Sequence, residues 1–367
     1  MRLIYFSPVP WESFAQRPHK FVEWFHKRTG ESVLWVDPYP TRLPRLTDLK
    51  RLRKTSLTVT NNNFSSWLQL VRPRALPFEP IPILRWVNFL LWQPVFHAID
   101  AFISGGFPLI VVGKPSALAL QILKKYPQCK SLYDAMDDFP AFHSGLSRAS
   151  MAKYEELIAR RSNYIWTSSS KLKSDWAQLH SNVKLVHNGL DLTALPTLKL
   201  REYSSDKKVF GYVGTIASWF DWDWIVTLAH TRPNDEIRLI GPVFESSMSK
   251  LPSNVRLLPP CNHEAALNAM MDFDVGLIPF KQNELTSSVD PIKYYEYRVL
   301  DLPVISTNFG EMRFRIGFPG VFISHSVADI AQIAETALNF DRDIEVVHDF
   351  SFQNSWESRF DATKLIL

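Results

Sequence analysis

Short apolar runs and amphipathic stretches alternate along almost the whole chain. RLIYFS, SVLWVD, the apolar half of AFISGGFPLIVVG, KSLYDAM, NYIWTSS and VKLVHNG read as strands. Between them RPHKFVEWFHKRTG, PSALALQILKKY, SMAKYEELIARRS and SKLKSDWAQLH read as helices, the first stopped by Gly30. Strands that are apolar throughout, separated by helices, belong to a parallel sheet covered on both faces. Residues 190–207, LDLTALPTLKLREYSSDK, have no period and mix Pro, Ser and charge, so they read as a linker. The alternation then resumes, with KVFGYVG, EIRLIG, NVRLLP, VGLIPF, PVIST and GVFISH as strands. DWDWIVTLAHTR, a short stretch near 244–250, HEAALNAMMDF, residues 291–300 and SVADIAQIAETALNF are the matching helices, and SWESRFDATKLIL reads as a last one.

This pattern predicts two doubly wound, Rossmann-like α/β domains facing each other across a cleft. The first is 1–195, with an irregular basic and aromatic insert at about 41–100. The second is 205–345, and residues 350–367 form a C-terminal helix directed back toward the first domain. At 367 residues the chain is longer than one hydrophobic core usually supports, which agrees with two. Such sheets bind ligands outside the carboxyl ends of their strands, so the chemistry belongs in the loops there.

Composition changes little in this picture. The chain is 46% hydrophobic and 21% charged, which is globular rather than disordered. Cys129 and Cys261 have neither metal spacing nor a disulfide framework, which points to a reducing compartment. MRLIYFSPVPW is a first strand rather than a leader, and 81–99 is interrupted by Arg85, Asn88 and Pro94, too broken to cross a bilayer. Charge is more informative. Residues 1–100 carry 14 Lys and Arg against 7 Asp and Glu, a surplus larger than the +4 of the whole chain. The cluster LKRLRK at 49–54 and the aromatic run after it suit either a membrane surface or a solvated basic face. No nucleic-acid motif accompanies them, so nucleic acid is not an expected partner.

The densest chemistry lies in DPIKYYEYRVLDLPVIST, residues 290–307. Asp290 can cap a helix that Pro291 begins, and the exposed N–H groups there make an anion site. Lys293 in the first turn adds a charge-assisted contact, and Glu296 shares its face three residues on. A carboxylate repels phosphate but accepts from a ribose diol, so the face suits a nucleoside diphosphate. A plain surface ion pair is the alternative. In the first domain YDAMDDFPAF gathers Asp134, Asp137 and Asp138 after a strand, as candidate bases whose mutual repulsion raises one pKa or as helix-capping residues. His143 is a further candidate. Arg17 and His19, after the first strand, suit an anionic acceptor, although Arg17 fits a buried helix-end role equally well. Asp221 and Asp223 open a helix and read as dipole partners rather than as a metal pair.

The block NVRLLPPCNHEAALNAMMDFDVGLIPFKQNELTSSVDPIKYYEYRVLDLPVIST resembles the donor-binding region of GT-B glycosyltransferases of the family-4 type. Their pattern runs D-V-x-L-x-P-F, then P-x-K-x-x-E-Y, then a strand with P-V. FGYVGTIASWFDWDWI, VHNGLDL, SLYDAMDDFPAF and RPHKFVEWFHKRTGESVLWVDP match other blocks in the same order, while 41–100 matches nothing specific. The resemblance implies a GT-B fold, with Glu296 on the donor ribose and Lys293 on the diphosphate. It also implies backbone at Gly214 and Thr215 near the phosphates, with Gly241, at the end of another strand, as a further donor-binding position. Three departures stand out: Ser288 replaces a common Glu, Asp301 replaces a usual Gly, and no histidine aligns with the sugar-contacting one of retaining members.

The implied activity is transfer of a sugar from a nucleoside-diphosphate sugar to a glycan or lipid-linked acceptor in surface polysaccharide biosynthesis. The protein is expected to be cytoplasmic or peripheral on the inner membrane face, with no metal or other cofactor. The stereochemistry stays open. A nicotinamide dehydrogenase would need G-x-G-x-x-G after a strand, which the chain does not contain. A non-catalytic sugar-nucleotide binder and a sugar-nucleotide epimerase of the same fold remain as alternatives.

Overall fold

The computed structural model describes residues 1–13, 15–43, 65–81, 85–196, 207–247, 250–342 and 344–366. The basic cluster at 49–54 and residues 197–206 of the predicted linker lie outside them. The chain divides into two compact units, Met1–Thr167 with Leu172–Leu185 and Ser168–Lys171 with Val186–Leu365.

In the first unit, β1 (Leu3–Phe6), β2 (Val33–Val36), β3 (Leu68–Val71), β4 (Leu109–Val112), β5 (Ser131–Ala135), β6 (Tyr164–Thr167) and β7 (Val183–Leu185) form one parallel sheet. Its order is β3-β2-β1-β4-β5-β6-β7. Every residue of β1, β2 and β4 is buried, as apolar runs between two helical layers require. Helix α1 (Arg17–Thr29) follows β1 and buries Phe21, Val22, Trp24 and Phe25. It ends at Gly30, whose φ of 70° suits a residue without Cβ and whose N–H donates to the His26 carbonyl at 2.8 Å.

The insert is more regular than its sequence suggests. Leu68–Val71 pairs with β2 as an edge strand, and only Leu68 is buried. The apolar stretch at 81–99 contains two helices, α2 (Arg85–Leu91) and α3 (Gln93–Ile103), with Pro94 in the first turn of the second. No helix among the described residues is long and apolar enough to cross a membrane. Helix α2 leaves Trp86, Phe89 and Leu90 exposed, Trp86 at 62%. Helices α4 (Ala117–Lys125) and α5 (Gly145–Ala159) follow β4 and β5, and α6 (Ser170–Ala177) follows β6.

The second unit holds β8 (Val209–Val213), β9 (Glu236–Ile240), β10 (Val255–Leu258), β11 (Val275–Ile278), β12 (Val304–Thr307) and β13 (Val321–Ser324), in the order β10-β9-β8-β11-β12-β13 and again parallel. Helices α7 (Trp222–Thr231), α8 (His263–Met271), α9 (Ile292–Val299), α10 (Ile330–Leu338), α11 (Ile344–Gln353) and α12 (Trp356–Asp361) cover it. Asp221 caps α7 by accepting from the Trp224 N–H at 3.0 Å, and Asp223 sits in its first turn. Where a short helix near 244–250 is predicted, residues 244 and 245 form a bend instead. Strand order reverses between β1 and β4 and again between β8 and β11, so each sheet has a switch point where its crossovers diverge.

Candidate functional site

Parallel βαβ connections bring the start of each helix to the carboxyl ends of the strands. In the second unit this places the turns after β8 and β9 at the same end as the starts of α8 and α9. At the first two, Gly214 has φ 155° and Gly241 has φ 143°. A Cβ on Gly241 would stand 2.1 Å from the Gly214 carbonyl oxygen, so the two turns are packed backbone to backbone. Gly214 and Thr215 are half-buried, and the Tyr212 hydroxyl donates to the Thr215 carbonyl at 2.9 Å.

Helix α9 begins one residue later than its sequence predicts, with Pro291 rather than Asp290 as the capping residue. The Asp290 carboxylate is pulled elsewhere. Arg315 donates to its Oδ1 at 2.5 Å, the Tyr295 hydroxyl to Oδ2 at 2.9 Å, and the Asn188 N–H to Oδ2 at 2.8 Å. Asp290 is 4% exposed and Arg315 6%, and Arg315 also lies 3.9 Å from the centre of the Tyr294 ring. Asp290 is thus a buried anchor of the helix start and not a donor contact.

Lys293 and Glu296 meet as their spacing implies. Nζ of Lys293 is 2.6 Å from Oε2 of Glu296, while Nε2 of His263, at the start of α8, is 2.9 Å from Oε1. Glu296 is 5% exposed, Lys293 is half-buried and His263 stands more open. Burial alone would raise the Glu296 carboxyl. Lys293 and His263 more than offset it and hold it below its ordinary value. Tyr297 fixes the helix beneath them, because its buried hydroxyl accepts from the Val213 N–H at 3.3 Å. His263 is the member that sequence reasoning missed. Its one signal is its place just after Asn262, which caps α8 by accepting from Ala265 at 2.8 Å.

In the first unit the acidic cluster separates into two kinds. Asp134 lies inside β5, fully buried, with its oxygens 2.7–3.1 Å from Nη2 and Nε of Arg17. The Tyr5 hydroxyl donates to it at 3.2 Å. Arg17 is 3% exposed, so neither it nor Asp134 faces a ligand: the expected acceptor contact and the expected base are bonded to each other. His19 is likewise occupied. Its Nδ1 accepts from the Gln16 N–H at 3.2 Å, its Nε2 lies 3.0 Å from the Trp11 carbonyl, and its ring packs against Trp11 and Trp35. Burial lowers its pKa.

Asp137 and Asp138, in the loop after β5, remain half-buried. Dehydration raises the Asp137 carboxyl to about 7. Arg17 opposes the rise, and Asp138 and Asp134 add to it. Glu155 on α5 was not anticipated. It is buried, accepts from the Tyr133 hydroxyl at 2.5 Å and is raised to about 8 by burial, with Asp138 adding to the rise. His143 follows the turn Phe139–Phe142 in the same loop and is half-buried.

No protein-family model matches the chain. A Bacillus subtilis (strain 168) protein provisionally named teichuronic acid biosynthesis glycosyltransferase TuaH is 27% identical over 199 residues, which cover 48% of this chain and 50% of the relative. The match thus spans about half the length of that protein. Among solved structures, sucrose-phosphate synthase from Thermosynechococcus elongatus superposes with a TM-score of 0.68 at 13% identity, covering 99% of this chain and 98% of that one. Anabaena Alr3699/HepE, solved in complex with UDP and glucose, gives a TM-score of 0.66 at 13% identity over 100% of both chains. The lipopolysaccharide outer core galactosyltransferase WaaB gives 0.62 at 11% identity, with 98% of both covered. Two doubly wound parallel sheets in these strand orders, matched along nearly the full length by such structures, are the fold of the GT-B glycosyltransferases.

Proposed function

We propose that this chain is a glycosyltransferase that moves a sugar from a nucleoside-diphosphate donor to a glycan or lipid-linked acceptor in the synthesis of a surface polysaccharide. The observation that carries the reading is the buried Glu296 carboxylate held between Lys293 and His263 at the start of α9, on the strand-end side of a doubly wound sheet. A donor diphosphate would draw Lys293 from Glu296 and take the free N–H groups of the helix start, and the released carboxylate oxygen would accept from the ribose. Gly214, Thr215 and Gly241 would bring bare backbone to the phosphates. The reading calls for no resident metal or cofactor, because Lys293 and the helix start supply the positive charge. The likeness to HepE, solved with UDP and glucose, supports such a donor, and the teichuronic acid relative supports a polysaccharide product.

Asp137, with a carboxyl that titrates near neutrality, and its neighbour Asp138 are the groups we assign to proton removal from, or positioning of, the acceptor hydroxyl. His143 is placed beside them as an acceptor contact.

Isothermal titration with nucleoside diphosphates, followed by an assay of donor consumption with and without acceptor glycans, tests the reading. Tight diphosphate binding that Lys293→Ala and Glu296→Ala weaken is expected. A parent protein that binds none would end it. Donor conversion without acceptor would favour an epimerase, and diphosphate binding with no sugar transfer that Asp137→Asn or Asp138→Asn lowers would favour a non-catalytic binder.

The exposed Trp86, Phe89 and Leu90 of α2, in a basic stretch of chain, support a second element of the proposal: peripheral contact with the inner membrane face. Co-sedimentation with phosphatidylglycerol vesicles that falls in a Trp86→Ser, Leu90→Ser variant is the expected result. Equal sedimentation of parent and variant would remove this element.

A further inference from the structure

At the carboxyl ends of β1, β2 and β4 the first unit holds a recess open to solvent, lined among others by Ser7, Asp37, Tyr39, Thr41, Lys114 and Ser116. It sits at that sheet's own switch point, where β1 and β4 lie side by side and their crossovers diverge. None of these residues stands out in the sequence as a candidate.

Lys114 is unlike its surroundings. It is half-buried, and no hydrogen bond or ion pair joins its ammonium to any described residue. The acids near it are committed to other groups. Oε1 of Glu79 accepts from the Ala117 N–H at 3.0 Å and its Oε2 from the Tyr39 hydroxyl at 2.6 Å. Oδ1 of Asp37 accepts from the Trp11 N–H at 2.9 Å and the Trp35 indole at 2.8 Å, and its Oδ2 faces Arg72 at 3.3 Å. Dehydration lowers the Lys114 pKa, the charge of Glu79 works against that fall and the charge of Arg42 adds to it. An ammonium partly withdrawn from water, with the Glu79 charge nearby but no hydrogen bond of its own, keeps donor capacity that a ligand can use. Such a group in a polar recess is the signature of a site completed by a ligand.

We propose that the Lys114 recess binds an oxyanion carried by the acceptor: the phosphoryl or carboxylate group of a charged sugar, with the Thr41 hydroxyl beside it. The inference rests on the glycosyltransferase reading and gives that acceptor its charge. Arg17, bonded to Asp134, leaves this role open.

The test is titration of the full chain with glucose 6-phosphate, glucuronate and uncharged glucose, repeated on Lys114→Met and Lys114→Arg, with a nucleoside diphosphate as control. The parent is expected to prefer at least one charged sugar over glucose by about tenfold or more. Lys114→Met loses that preference, Lys114→Arg keeps part of it, and diphosphate affinity is the same in all three. Which charged sugar is preferred distinguishes a phosphoryl from a carboxylate source. No preference in the parent, or a preference that survives in Lys114→Met, would each overturn the proposal. A parent that fails to bind the diphosphate would instead overturn the donor reading.

Discussion

Each unit buries an arginine–aspartate pair beside its candidate chemistry, and the two pairs leave their surroundings charged in opposite ways. In the first unit one guanidinium, Arg17, is bonded to Asp134 and also acts on Asp137, beside which Asp138 adds a further negative charge. Burial then dominates at Asp137, which holds a proton up to about pH 7. In the second unit Arg315 satisfies Asp290 and Tyr295, while Lys293 and His263 separately satisfy Glu296, which stays ionised below its usual range. One fold, used twice, has thus produced an end suited to holding a proton and an end suited to holding charge. The number of cations per carboxylate makes the difference.

The sharpest way to break this contrast is at the proton-holding end. Asp137→Asn and Asp138→Asn are expected to reduce sugar transfer by about 10²- to 10⁴-fold in the more affected variant, with diphosphate affinity unchanged, as a turnover assay would show. Next come the anchors. Arg17→Ala or Arg315→Ala strands a buried carboxylate and should each destabilise by about 3–5 kcal/mol in denaturant unfolding. Equal stability of either variant and the parent would mean that pair holds nothing in place.

At the charge-holding end Lys293→Ala should weaken nucleoside diphosphate binding by about 1.5–3 kcal/mol, roughly ten- to hundredfold, read by calorimetry. The smallest effect concerns pH. Between the ordinary Asp value of 3.8 and about 7, the native state keeps a proton on Asp137 that the unfolded chain has released. Its contribution is therefore fully present below pH 3.8 and lost as pH rises through 7. Asp137→Asn should flatten that decline and be the more stable form above pH 7, and identical pH–stability curves would show that Asp137 is not dehydrated.

The sheets were legible because buried parallel strands leave unbroken apolar runs, as in LIYF, VLWV and VGLI, and Gly30 marks where α1 stops. Leu68–Val71 was not legible as a strand, because an edge strand buried only at Leu68 and followed by Arg72 and Pro73 shows neither a run nor an alternation. At the site, the Lys293–Glu296 spacing could be read locally, since three residues on a helix share a face. The partners that decide the other residues come from far along the chain. Asp290 looks like a cap until Arg315, 25 residues later, takes its carboxylate. Arg17 looks like an acceptor contact until Asp134, 117 residues later, does the same to its guanidinium. His263 and Lys114 carry no periodic signal at all.

Helix α9 has only eight residues, and it leaves through Asp301 in the left-handed conformation, φ 53°. The Arg298 guanidinium lies 3.7 Å from the Asp301 carboxylate and donates to the Leu302 carbonyl at 2.8 Å. A stop this firm sets the rotation of everything before it, much as a detent sets a dial. One extra residue inserted just ahead of Asp301 would turn Lys293 and Glu296 by about 100° against the fixed strand β12 and carry them off the His263 side. The proposed grip on a diphosphate would thus be indexed from the far end of the helix, by a residue on the side away from Lys293.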